Sequence, residues 1–83
     1  MNQHFGSLVL GLAAQANAAL DGQLPPGAQD AGAVNARQLA QALIDTLAAL
    51  EEKTRGNLDA DESRLLTQAL TSLRFRFATG KPA

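Results

Sequence analysis

The first twenty residues, "MNQHFGSLVLGLAAQANAAL", contain no Lys, Arg, Asp or Glu. Within them, Phe5, Leu8, Val9, Leu12, Ala16, Ala19 and Leu20 recur at helical spacing. At about 100° per residue they fill one stripe. The other side carries Ser7, Gly11, Ala14 and Ala18, with Leu10 beside them. A helix that is apolar or small on all sides is normally buried. A chain of 83 residues scarcely covers one helix all round. A second chain is therefore expected to cover it, through Phe5, Leu8, Leu10, Gly11, Leu12, Ala14 and Ala18.

The small face has two readings. It is filler on a weakly solvated side, or it lets a partner helix come close. Two Gly residues inside a short helix cost roughly 1 kcal/mol each relative to Ala. Something besides propensity must hold the segment helical. It is too short for a membrane span, which needs ~20 apolar residues, and it contains Gln15 and Asn17. "LVLGLAA" followed by "ANA" has the look of a signal peptide, but no Lys or Arg precedes it.

Size points the same way. A chain this short buries about 60–65 % of its unfolded surface, so its stability is marginal. Disulfides, metals or oligomerisation are the usual staples. Cysteine is absent, which removes disulfides and thiolate metal sites. The lone histidine, His4, falls where a frayed N-terminus is expected. Oligomerisation remains. The net charge is −1, so no basic field exists to hold nucleic acid by counterion release. The seven Lys and Arg all lie at or after Arg37.

Residues 21–34, "DGQLPPGAQDAGAV", read as a flexible Pro/Gly loop, with Leu24 able to tuck into the core. A second helix is expected to start after Asn35, an N-cap candidate with Gln38 three residues on and a Val34–Leu39 staple. Leu39, Leu43, Ile44, Leu47 and Leu50 form its stripe, with Ala36 and Ala40 inside it. Arg37, Gln41, Asp45 and Glu52 lie largely opposite. Thr54 falls on the stripe and can bond back to the carbonyl of Leu50. A third helix follows Asp59, with Glu62 completing a capping box and Asp61 favouring the helix dipole. Leu65, Leu66, Ala69, Leu70, Leu73 and Phe77 form its stripe. Gly80 is the expected stop. Phe75 points away and offers a second contact surface.

"EEKTRGNLDADE", residues 51–62, looks like a charged site but reads as two helix ends meeting. Lys53 and Arg55 suit a helix C-terminus, Gly56 the left-handed position beyond it, and Leu58 anchors the corner. Asn57, Asp59 and Asp61 alternate as at the start of a calcium loop. That loop then requires Gly and a bidentate Glu where this chain has Glu62 and Gln68. No nucleophile–base pair, glycine-rich phosphate loop or enclosed carboxylate pair is evident. Lys53 and Thr54 are not demanded by a turn, so with Asn57 and Asp45 they are the residues to watch for a ligand site.

These residues carry a likeness. Ile44, Asp45, Leu47, Leu50, Lys53, Thr54, Gly56, Asn57, Leu58, Glu62, Leu65, Leu66, Leu73 and Arg74, preceded by "FGSLVLGLAAQANAAL", resemble the bacterial domain-of-unknown-function family 1844. The likeness covers residues 5–77, and "KTRGNL" is its most specific part. Family members commonly end in an aromatic such as Tyr, where this chain has Phe77. The resemblance implies a small, all-helical, cytoplasmic bacterial protein and implies no reaction. It also argues against the signal peptide, because the first helix looks like part of the domain.

The expectation is one all-α domain over residues 1–83. Its helices span about 4–20, 36–55 and 60–79, and the last two form a short-looped antiparallel hairpin. Assembly as a homodimer or a dimer of dimers completes it. The expected role is that of a non-enzymatic scaffold or interaction module. An adaptor binding another protein through the first helix or Phe75 is the alternative. A ligand or enzymatic site near Lys53 is the third reading. No cofactor, metal, nucleic acid or membrane is expected.

Overall fold

The computed structural model describes residues 1–22 and 32–79, with side chains described for 1–22 and 36–79. Among them the chain forms three helices and no strand: α1 (Gln3–Leu20), α2 (Gly32–Lys53) and α3 (Ala60–Thr79). Each helix packs on both of the others. No described helix is long and apolar enough to cross a membrane.

The stripes in the sequence become one core. Val9 and Ala16 of α1 meet Leu43, Ile44 and Leu47 of α2 and Leu66, Leu70 and Leu73 of α3. Phe5, Leu12, Leu20, Leu39, Leu50, Leu58, Leu65 and Phe77 pack around its edge. Small buried residues, Ala16, Ala19, Ala36 and Ala40, let the helix backbones come close.

Polar contacts fix the helix directions. The start of α1 meets the start of α3, because the Asn2 amide donates to Glu62 Oε2 at 2.8 Å. The end of α1 meets the end of α3, where Arg76 donates to Asp21 Oδ1 at 2.6 Å. α1 and α3 are therefore parallel. α2 runs against both: Arg37 near its start lies 3.9 Å from the Phe77 ring near the end of α3. The same guanidinium donates to the Phe77 carbonyl at 3.2 Å.

Several boundaries and placements differ from the sequence reading. α1 starts at Gln3, and its N-terminus is not frayed: Asn2 caps it by accepting from the amides of His4 and Phe5. His4 is an exposed helical residue. α2 starts at Gly32, so Asn35 lies inside its first turn instead of capping it. Asn and Val cost only a few tenths of a kcal/mol inside a helix, so a good cap residue permits a start there without forcing one. Leu8 lies on the apolar stripe of α1 and is 48 % exposed, so the core of the single chain does not cover the whole stripe. Leu24 and Gly80 lie outside the described residues.

Leu47 has no exposed surface. Leu47→Ala is expected to cost about 2–5 kcal/mol. That is a large share of the roughly 4–12 kcal/mol available to a chain this size. Gln68→Ala, at an exposed position of α3, is expected to cost less than about 0.5 kcal/mol. Urea denaturation followed by circular dichroism separates them, and equal losses would contradict this core.

Candidate functional site

The α2–α3 corner is built mostly from backbone groups. Thr54 closes the last turn of α2 twice, with its amide on the Leu50 carbonyl at 3.0 Å and its hydroxyl on the same oxygen at 2.7 Å. The Asn57 amide then donates to the Thr54 carbonyl at 2.9 Å. Between them Gly56 has φ +87, a left-handed conformation that costs an L-residue roughly 1–2 kcal/mol. Leu58 turns back against the core. Lys53 and Asn57 are exposed. A shallow, open depression here is lined by Glu51, Arg55, Gly56, Leu58 and Ser63. Lys53, Thr54 and Asn57 do not form its wall. Asp45 lies elsewhere, on the outer face of α2, and accepts from Gln41 at 2.8 Å.

α3 then opens with a reciprocal capping box. The Glu62 amide donates to Asp59 Oδ1 at 2.8 Å, and the Asp59 amide donates to Glu62 Oε1 at 2.9 Å. The other oxygen, Glu62 Oε2, takes the Asn2 amide. Glu62 is the buried charged residue among the described side chains, at 7 % exposure. One carboxylate thus completes the cap of α3 and holds the residue that caps α1. Asp59 in turn pairs through Oδ2 with the Met1 ammonium at 3.0 Å. The Glu62 amide beside Asp59 holds its carboxyl below the usual carboxylate range, and the Met1 ammonium adds to the effect. The Met1 amine is raised by its hydrogen bond to Asp59, then by the charges of Asp59, Glu62 and Asp61.

The far end of α1 has its own clamp. Arg76 donates to Asn17 Oδ1 and to Asp21 Oδ1, and its side chain is mostly covered. Asp21 is the C-cap of α1, and Gly22 follows it with φ +84. The two clamps match in spacing. Asn2 and Asn17 are about 22 Å apart along α1, and Glu62 and Arg76 about 21 Å along α3, at ~1.5 Å per residue.

The sequence reading anticipated the corner residues but not the clamps. Asn2 carried a usable signal, a good cap just before a periodic segment. Nothing in the sequence pairs Asn2 with Glu62, or Asn17 and Asp21 with Arg76. Among the described residues, no three His, Cys, Asp or Glu side chains group as a metal site.

The outer side of α1 carries apolar and small residues. Leu10 is 58 % exposed, and Ser7, Gly11 and Ala14 are exposed beside it. Among the described residues, a Cβ on Gly11 would meet nothing within 4 Å. Phe75, on α3, is 70 % exposed.

A family model described as a domain of unknown function (DUF1844) matches residues 2–79. The chain belongs to this family. The match runs from the cap of α1 to the last residue of α3, so this DUF1844 domain includes all three helices and both clamps. No curated protein and no solved structure matches the chain.

Glu62→Ala is expected to remove the carboxylate partner of the Asn2 and Asp59 amides, at about 0.5–1.5 kcal/mol for each hydrogen bond lost at these water-accessible amides. Glu62→Gln keeps one acceptor oxygen and is expected to cost less; urea titration of both variants gives the order. The pH dependence has two arms. The contribution of Asp59 is present above its unfolded value of 3.8 and is lost as pH falls through its lowered folded value. That of the Met1 amine is complete below its unfolded value of 8.0 and is lost as pH rises through its raised folded value. Thermal melts in the intact chain and in Asp59→Asn check this: both arms are expected to flatten in the variant.

Proposed function

We propose that this DUF1844 domain is a non-enzymatic interaction module that associates with a second copy of itself through the exposed side of α1. The observation that carries the reading is Gly11. It sits in the middle of a helix, where it costs about 1 kcal/mol relative to Ala. Among the described residues, none comes within 4 Å of where its side chain would begin. Ser7, Gly11, Ala14 and Ala18 are spaced four, three and four residues apart, the interval of a helix–helix seam. Leu8 and Leu10 flank that line and stand exposed.

A second copy suits this face better than a different partner. α1 carries no charged side chain, so two copies meeting about a twofold axis place no like charges against each other. For the same reason the face offers no charge to select a foreign protein. Exposed Phe75 supplies a separate apolar contact. It supports growth to a dimer of dimers, or the adaptor reading in which another protein docks there. At the corner, the Thr54 hydroxyl is committed to the Leu50 carbonyl and the Asn57 amide to the turn, which supports a structural role over a ligand site. A cytoplasmic location, as the resemblance implies, is part of this reading.

Two substitutions test the reading. Gly11→Ala is expected to stabilise the fold by up to about 1 kcal/mol while weakening self-association. Gly11→Arg is expected to reduce the mass seen by light scattering to that of a single chain while leaving the helical circular dichroism intact. A monomeric natural chain, or an unchanged mass for Gly11→Arg, would refute it.

A further inference from the structure

We infer that the second copy lies antiparallel to the first, α1 against α1, so that the acidic end of each chain sits beside the basic end of the other. This rests on the self-association proposed above and adds its direction. The charges of the bundle are sorted by end. The start of α1, the end of α2 and the start of α3 lie together, and the described side chains there are Glu51, Glu52, Asp59, Asp61 and Glu62 against Lys53, Arg55 and Arg64. The opposite end carries Arg37, Arg74 and Arg76 against Asp21. One end is acidic in balance and the other basic. The bundle is 40 Å long, whereas charges are screened over about 8 Å at physiological salt. Only the ends that lie side by side therefore act on each other. A parallel pair sets acidic beside acidic and basic beside basic, and an antiparallel pair sets opposites together.

The outward line of α1 agrees with that direction. His4, Ser7, Gly11, Ala14, Ala18 and Asp21 are spaced three, four, three, four and three residues apart, an order that reads the same in reverse. A twofold axis between Gly11 and Ala14 therefore sets Gly11 against the partner's Ala14, Ser7 against the partner's Ala18, and His4 against the partner's Asp21. His4 and Asp21 are exposed. Arg76 engages Asp21 through Oδ1, so Oδ2 can accept from an imidazole N–H. In a parallel pair each residue meets its own copy, and the two Asp21 carboxylates oppose each other. The antiparallel pair gives the lone histidine of the chain a partner at the rim of the contact.

The absence of cysteine makes disulfide trapping a direct test. The whole chain is made as Ser7→Cys and as Ala18→Cys, and circular dichroism checks that both fold. The variants are equilibrated singly and mixed in a glutathione buffer, and the cross-linked products are weighed by mass spectrometry. In an antiparallel pair the two Ser7 positions are about 16 Å apart along the helices, whereas a disulfide needs Cα atoms within about 7 Å. The mixed Ser7→Cys/Ala18→Cys dimer is expected to exceed either self-linked dimer by about tenfold or more. Predominant self-linking of Ser7→Cys would overturn the antiparallel direction and leave self-association through α1 standing. A dimeric mass by light scattering with no disulfide in any mixture would overturn both the direction and the choice of the α1 face. A single-chain mass would overturn the self-association and the direction with it.

Discussion

The Glu62 carboxylate is the joint on which the arrangement of this bundle depends. Its two oxygens serve two helices at once, receiving the Asp59 amide of α3 and the Asn2 amide of α1. Orphan amides at a helix start need partners when they are covered. A buried carboxylate needs donors for the same reason. Each requirement satisfies the other, and the price of burying one charge is met where two helix ends converge.

Such a joint matters because the apolar surfaces are not very selective. The core is Leu, Ile, Val and Ala, and helices of that composition pack acceptably in more than one register. A polar contact has little such tolerance, since a slide of one turn would strand it. Glu62 and Arg76 stand at opposite ends of α3, and their partners stand at matching distances along α1. Together they set both the parallel direction of α1 and its register. The Arg37–Phe77 contact does the same service for α2. α1 has no charged side chain of its own, so the anchoring charge comes from its neighbours.

The face that α1 turns outward has a different character. The inner face is held at both ends and packed between, whereas the outer face carries exposed Leu10 and a line of small residues, with open space at Gly11 among the described residues. A helix so firmly placed presents its outer side as a rigid surface. Rigidity lowers the entropy cost of any association through that side.

The helices and their corner were legible in the sequence, because they depend on short-range rules. Leu47, Leu66 and Leu70 lie on stripes that the 3.6-residue period lays down. Asp59, Glu62 and Gly56 act within a few residues of themselves, through capping and backbone conformation. Asn35 misled because a cap residue also tolerates a helix interior. The period puts Leu8 on the apolar face but does not say how far its neighbours extend over it. The tertiary structure alone decided that Glu62 also holds Asn2 and that Arg76 reaches Asn17 and Asp21. Those pairs are distant in the chain, and one sequence contains no term that couples them; only the packing of α1 against α3 brings them within reach.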